Sequence, residues 1–147
     1  LEQNNHKEVY MKTGKILIAA LAVSLFGVIF GGVTCGWLFS WVYKIEPINV
    51  WKPMDGPPGL AFLIGSFVLN IVLAVVYALL QKGIPGKNKL AKGVIFGLCV
   101  WAVGMLPGMF SIYSFMTVAT GVVIYWTILG LVEMPVKGLI IAAIYGE

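Results

Sequence analysis

Glu133 and Lys137 stand four residues apart in an otherwise apolar stretch, the carboxylate N-terminal to the ammonium. That order and spacing put the two charges on one helix face, where they can pair. Asn70 sits at the centre of a second apolar run. An ionisable group in hydrocarbon is costly and usually functional, so Asn70, Glu133 and Lys137 are a candidate intramembrane polar cluster. Each has a plainer reading. Asn70 can be a packing hydrogen bond, and Glu133–Lys137 a structural pair. The pair would lie at the membrane surface if the helix broke at Pro135, which would leave the Leu131 carbonyl without its helical donor.

The elements that must position these residues are read from the charge gaps. Residues 16–43, 56–81 and 93–132 carry no charge, and Glu133 and Lys137 interrupt a last apolar run that ends at Tyr145. Apolar residues make up 60% of the chain and charged ones 11%, against roughly a quarter charged in an ordinary soluble domain. The mean hydropathy is +0.96. Such a chain lacks the charged skin of a soluble fold. A bilayer core needs about 20 apolar helical residues. The first two runs therefore give one span each, and the third is long enough to need a break, for which Pro107-Gly108 is the candidate. The expectation is an all-α polytopic membrane protein: a polar tail over residues 1–13, then an antiparallel bundle of four transmembrane helices near 14–43, 59–81, 89–107 and 117–145. Residues 108–116 would form a loop or short helix at the membrane surface. An alternative ends the last span at 132 and places an interfacial helix over 135–146, with Pro135 at its first position. The longer helix is preferred because residues 138–145 are as apolar as a span interior. By helical rise, Asn70 lies about 18 Å from Lys82, and Glu133 and Lys137 about 21 and 15 Å from the end of the last helix. The three could share one layer near the bilayer middle, where the first and third spans offer Gly27 and Gly104.

The lysines set an expected orientation. Lys7, Lys12, Lys15, Lys82, Lys87, Lys89 and Lys92 collect on one side, against Lys44 and Lys52 on the other. Positive residues stay cytoplasmic, so both termini and the loop 82–92 are expected on the cytoplasmic side of the membrane. Trp37, Trp41, Tyr43, Trp51, Phe110 and Tyr113 would form an aromatic belt at the outer face. Trp101 and Trp126 fall inside spans and read as packing. The first apolar region is longer than the ~7–15 residues of a signal-peptide core. Residues 32–35 match a lipoprotein cleavage site poorly, since Thr34 is large and the site lies deep. Met11-Lys-Thr-Gly-Lys15 reads as a candidate native start, with residues 1–10 an extension.

Several chemistries are not expected. The sole histidine, His6, lies outside the spans, which argues against a bis-His haem or a His-based metal site. Two cysteines cannot make a tetrahedral thiolate site. Cys35 and Cys99 lie at depths of about 30 and 10 Å from the cytoplasmic edge, so they read as small apolar fillers, not a disulfide. Lys82-Gly-Ile-Pro-Gly-Lys87 lacks the setting and hydroxyl of a phosphate loop. It reads as a tight cytoplasmic turn, with an anionic lipid headgroup site as the minor alternative. The ten cations are all lysine and flank apolar runs, a pattern unlike nucleic-acid binding. No cofactor is implied.

Glycines four apart form the pairs Gly27/Gly31, Gly32/Gly36, Gly93/Gly97 and Gly104/Gly108, a signal for close helix contact. Gly27, Gly31, Gly32 and Gly36 are the candidate face toward another protein chain. The leading expectation is a non-enzymatic membrane protein that works by helix association, as accessory subunit of a larger membrane complex or as a homo-oligomer, with membrane lipids and other membrane chains as partners. One alternative is a small transporter or channel subunit using Asn70, Glu133 and Lys137. Another is a membrane enzyme acting on lipid or quinone, for which Glu46, Lys52, Asp55 and Tyr113 are the outer-side candidates but offer no convincing acid–base pair.

Four stretches, Val50-Trp-Lys-Pro-Met54, Lys82-Gly-Ile-Pro-Gly-Lys87, Lys92-Gly-Val-Ile-Phe-Gly-Leu98 and Gly138-Leu-Ile-Ile-Ala-Ala-Ile-Tyr145, together resemble a group of small uncharacterised bacterial four-helix integral membrane proteins. The resemblance spans most of residues 14–146, with no motif between Pro107 and Thr120. It implies four helices in a bacterial cytoplasmic membrane and carries over no catalytic residue.

Overall fold

The computed structural model describes the backbone over residues 2–51 and 59–146, and side chains from Lys12 onward within those stretches. Five α-helices form: α1 (Glu2–Gly31), α2 (Leu60–Leu80), α3 (Lys89–Val100), α4 (Leu106–Phe115) and α5 (Thr120–Tyr145). No strand occurs among the described residues. Four continuous helical stretches are long and apolar enough to cross a membrane: Lys12–Leu38, Leu60–Leu80, Lys89–Phe115 and Thr120–Tyr145.

Two of those stretches contain π-helical turns. The first follows α1 directly over Gly32–Leu38. It closes with the Phe39 N–H donating to the Thr34 carbonyl at 2.9 Å, and a short 3-10 helix follows over Ser40–Lys44. The second joins α3 to α4 over Trp101–Met105, where the Leu106 N–H reaches back to the Trp101 carbonyl. This second turn corrects the expected break at Pro107-Gly108: of the loop or short helix expected over 108–116, a helix forms, continuous with α3 through the π turn and running on to Phe115. A proline lacks a donor and its ring crowds the carbonyl one turn earlier. A widened turn just upstream changes which carbonyls need donors, so the helix accommodates Pro107 without stopping. Pro135 likewise lies inside α5, which stays helical from Thr120 to Tyr145. The interfacial-helix alternative over 135–146 is not what forms. The first helix extends upstream of the expected start near 14, to Glu2.

The helices converge at the lysine-bearing end. Ala19 and Val23 of α1, Ala74 and Tyr77 of α2, Phe96 of α3, and Ile141, Ala142 and Tyr145 of α5 form the buried core there. The Tyr77 ring meets the edges of Phe96 at 5.2 Å and Tyr145 at 6.3 Å between centroids, the edge-to-face geometry aromatic quadrupoles favour. Two lysines close helix C-termini at this end. Lys15 Nζ donates to the Tyr145 carbonyl and Lys92 Nζ to the Gln81 carbonyl, both at 3.1 Å. A cation there offsets the negative end of the helix dipole, worth about 0.3–1 kcal/mol each. Asn88 caps α3, its side-chain oxygen accepting from the Ala91 N–H at 2.8 Å.

The α3–α5 seam brings backbone against backbone. A Cβ placed on Gly93 would stand 2.5 Å from the Gly138 carbonyl oxygen and 2.6 Å from Ala142 Cβ, and one on Gly97 would overlap the Met134 carbonyl. Backbones touch there because neither helix has a side chain to hold them apart. α1 packs against both α2 and α5, and α2 makes its main contact with α1.

Candidate functional site

α1 links the three polar residues singled out in the sequence. Ser24 Oγ donates to the Ala20 carbonyl at 2.8 Å and accepts from Asn70 Nδ2 at 2.9 Å. One turn on, Gly27 leaves its backbone bare. A Cβ there would lie 3.6 Å from Lys137 Nζ and 3.7 Å from Glu133 Oε1. Lys137 Nζ and Glu133 Oε1 pair at 2.6 Å, with side chains 12% and 23% exposed. Asn70 is buried at 5% exposure. Asn70 thus reaches α1 one turn away from where the ion pair rests on it. Ser24, which the sequence reading did not single out, is the residue that ties Asn70 to the bundle. Its signal was its position: it is the hydroxyl three residues before Gly27, on the same helix face.

Beside this cluster α2 parts from α3 and α5, leaving a cleft of about 470 Å³. Phe62, Gly65, Ser66, Leu69, Asn70 and Leu73 of α2 line one wall, and Val100, Met134 and Lys137 the other. The α2 wall extends about 16 Å along the helix. Asn70 and Lys137 share the cleft, whereas Glu133 lies behind Lys137 as its counter-ion. The buried core joins α2 to its neighbours at the Tyr77 end, and near Gly65 the cleft stays open. A Cβ on Gly65 would meet nothing within 4 Å.

The glycine expectations divide. Gly27 meets the ion pair, and Gly93 and Gly97 meet α5. Gly31, Gly32, Gly36, Gly104 and Gly108 have open space where a side chain would be. Gly104 therefore does not join the polar layer as expected. The residues that bring α3 onto α5 are Gly93 and Gly97, on the stretch before the π turn.

At the opposite end, Tyr43, Trp51 and Trp126 gather into one cluster. Tyr43 and Trp126 rings contact Trp51 at 5.3 and 5.7 Å, and Trp126 Nε1 donates to Tyr43 Oη at 2.9 Å. Burial pushes the Tyr43 hydroxyl above its ordinary pKa, reinforced by Cys35 and opposed by the Trp126 hydrogen bond. Tyr43 and Trp51 thus pack inward, while Trp37 and Trp41 are exposed. Tyr125 Oη donates to the Thr34 carbonyl at 3.0 Å, inside the first π turn. The same carbonyl accepts from the Phe39 N–H at 2.9 Å, so both of its lone pairs are used. Cys35 and Cys99 are free thiols.

Of the acid–base candidates expected on the outer side, Lys52 and Asp55 lie outside the described residues, as do the side chains of His6 and Lys7. Glu46 Oε2 accepts from the Ile48 N–H at 3.2 Å, and Tyr113 is exposed. No three His, Cys, Asp or Glu side chains gather to hold a metal among the described residues.

Comparison with protein-family models, with curated proteins and with solved structures finds no match. The functional reading therefore rests on this geometry.

Proposed function

We propose that the chain is an integral membrane protein that works by helix association, as an accessory subunit of a larger membrane complex or as a homo-oligomer. Leu21, Leu25, Ile29, Phe62, Leu69, Val103 and Phe115 are among many large apolar side chains that stand more than half exposed, which suits four helices solvated by lipid instead of water. The lysine-bearing end is the cytoplasmic one in this reading. The observation that carries association is the contrast among glycines. Gly93 and Gly97 are filled by α5, while Gly31, Gly32 and Gly36 would meet nothing within 4 Å. Glycine in an exposed helix costs about 1 kcal/mol relative to alanine, and a close-packing partner helix offsets that cost. The test is cross-linking in intact membranes followed by native mass spectrometry from mild detergent. The expected result is an assembly that dissociates in Gly32→Leu/Gly36→Leu, with the monomer's helicity unchanged. A monomer without partners in both forms would refute association.

One observation favours a second reading, transport. Asn70 and the paired Lys137 line a cleft that reaches the middle of the helices. Four helices rarely enclose a pore alone, so this reading too requires self-association. Glu133→Gln should then alter solute or ion flux in proteoliposomes; unaltered flux would remove it.

A further inference from the structure

Independently of association, we infer that the cleft between α2 and the α3–α5 pair binds a neutral amphiphile bearing a carbonyl acceptor, an ester lipid or a quinone, entering sideways from the bilayer. The first support is shape. About 470 Å³ falls within the ~300–1,000 Å³ of ligand clefts, and Phe62, Leu69, Leu73, Val100 and Met134 give it apolar walls suited to an acyl or isoprenoid tail.

The second support is an unspent polar capacity at the cleft wall. Among the described residues Asn70 makes one side-chain hydrogen bond, from Nδ2 to Ser24, although a carboxamide has two N–H donors and an acceptor oxygen. It is nine-tenths buried and lines the cleft. Lys137 directs its ammonium at Glu133, and an ammonium has three donors. In apolar surroundings an amide left part-satisfied is costly. A ligand carbonyl accepting from the second Asn70 N–H or from Lys137 lowers that cost on the donor side.

The third support is charge. Glu133 already neutralises Lys137 at 2.6 Å, so the site is neutral as a whole. An anionic headgroup would bring an unpaired charge into a largely apolar cleft, where desolvation opposes it. A carbonyl adds an acceptor and no charge. This selects an ester or quinone carbonyl over a fatty-acid carboxylate or a phosphate.

The full chain in liposomes can be labelled with photoactivatable diacylglycerol, quinone and fatty-acid probes, and the sites mapped by mass spectrometry. One or both neutral probes should label Leu69, Leu73 and Met134 above the other lipid-facing helices, and the stronger of the two identifies the source. Gly65→Leu, at a position with room for a side chain, should reduce that labelling to background while leaving the helical spectrum intact. Asn70→Leu should weaken competition by unlabelled probe about five-fold, the size of one net hydrogen bond. Three results would overturn the proposal: even labelling of all helices unaffected by Gly65→Leu, preference for the fatty acid, or disulfide cross-linking of Gly65→Cys to a second copy, which would give the cleft to protein.

Discussion

The two sides of α5 solve the same problem in opposite ways. Toward α3, Gly93, Gly97 and Gly138 let backbone meet backbone, and no space remains for a methyl group. Toward α2, the helices stay apart near Gly65 and a cleft persists, with Asn70 and Lys137 on its walls. Glycine therefore does not by itself bring helices together. It permits approach where the opposing helix also has a bare or indented surface. On α5 that surface is Gly138 with the Met134–Pro135 backbone, and near Gly65 no such surface lies within reach.

Substitutions can break or sharpen this contrast. Gly97→Leu should have the largest effect, because its side chain would have to displace the Met134 backbone. A loss of about 3 kcal/mol is expected, measured as the shift in denaturant-induced unfolding followed by circular dichroism in micelles. A small loss would mean that the seam yields easily and is not the fixed half of the bundle. Asn70→Leu should cost about 1 kcal/mol by removing the bond to Ser24. Ser24→Ala should cost a similar amount, and the double substitution should cost less than their sum, since both lose one shared bond. Additive costs would show that the two residues act separately. Gly65→Leu should change stability least, within about 0.5 kcal/mol, because the cleft has room for it. A loss comparable with Gly97→Leu would show that the α2 side is closed.

Composition alone determined four long apolar helical stretches, because runs so poor in charge cannot be covered by a soluble fold's polar surface. The spacing of Glu133 and Lys137 likewise determined their pairing, since residues four apart share a helix face whatever the rest of the chain does. Helix continuity at Pro107 was not legible in that way. Local chemistry says proline interrupts, and only the π turn at Trp101–Met105 carries the helix past it. The sequence offered four equivalent glycine pairs, and tertiary packing decided which of them touch, because contact needs a matching surface on another helix and rotation about each axis. The same holds for Trp126, which periodicity places in a span and packing joins to Tyr43 and Trp51. Asn70 acquired Ser24 as its partner, and with Lys137 a place on the cleft wall, only when α1, α2 and α5 met. Side-chain type and period act along one helix, whereas a cleft is a gap between helices and has no local signal.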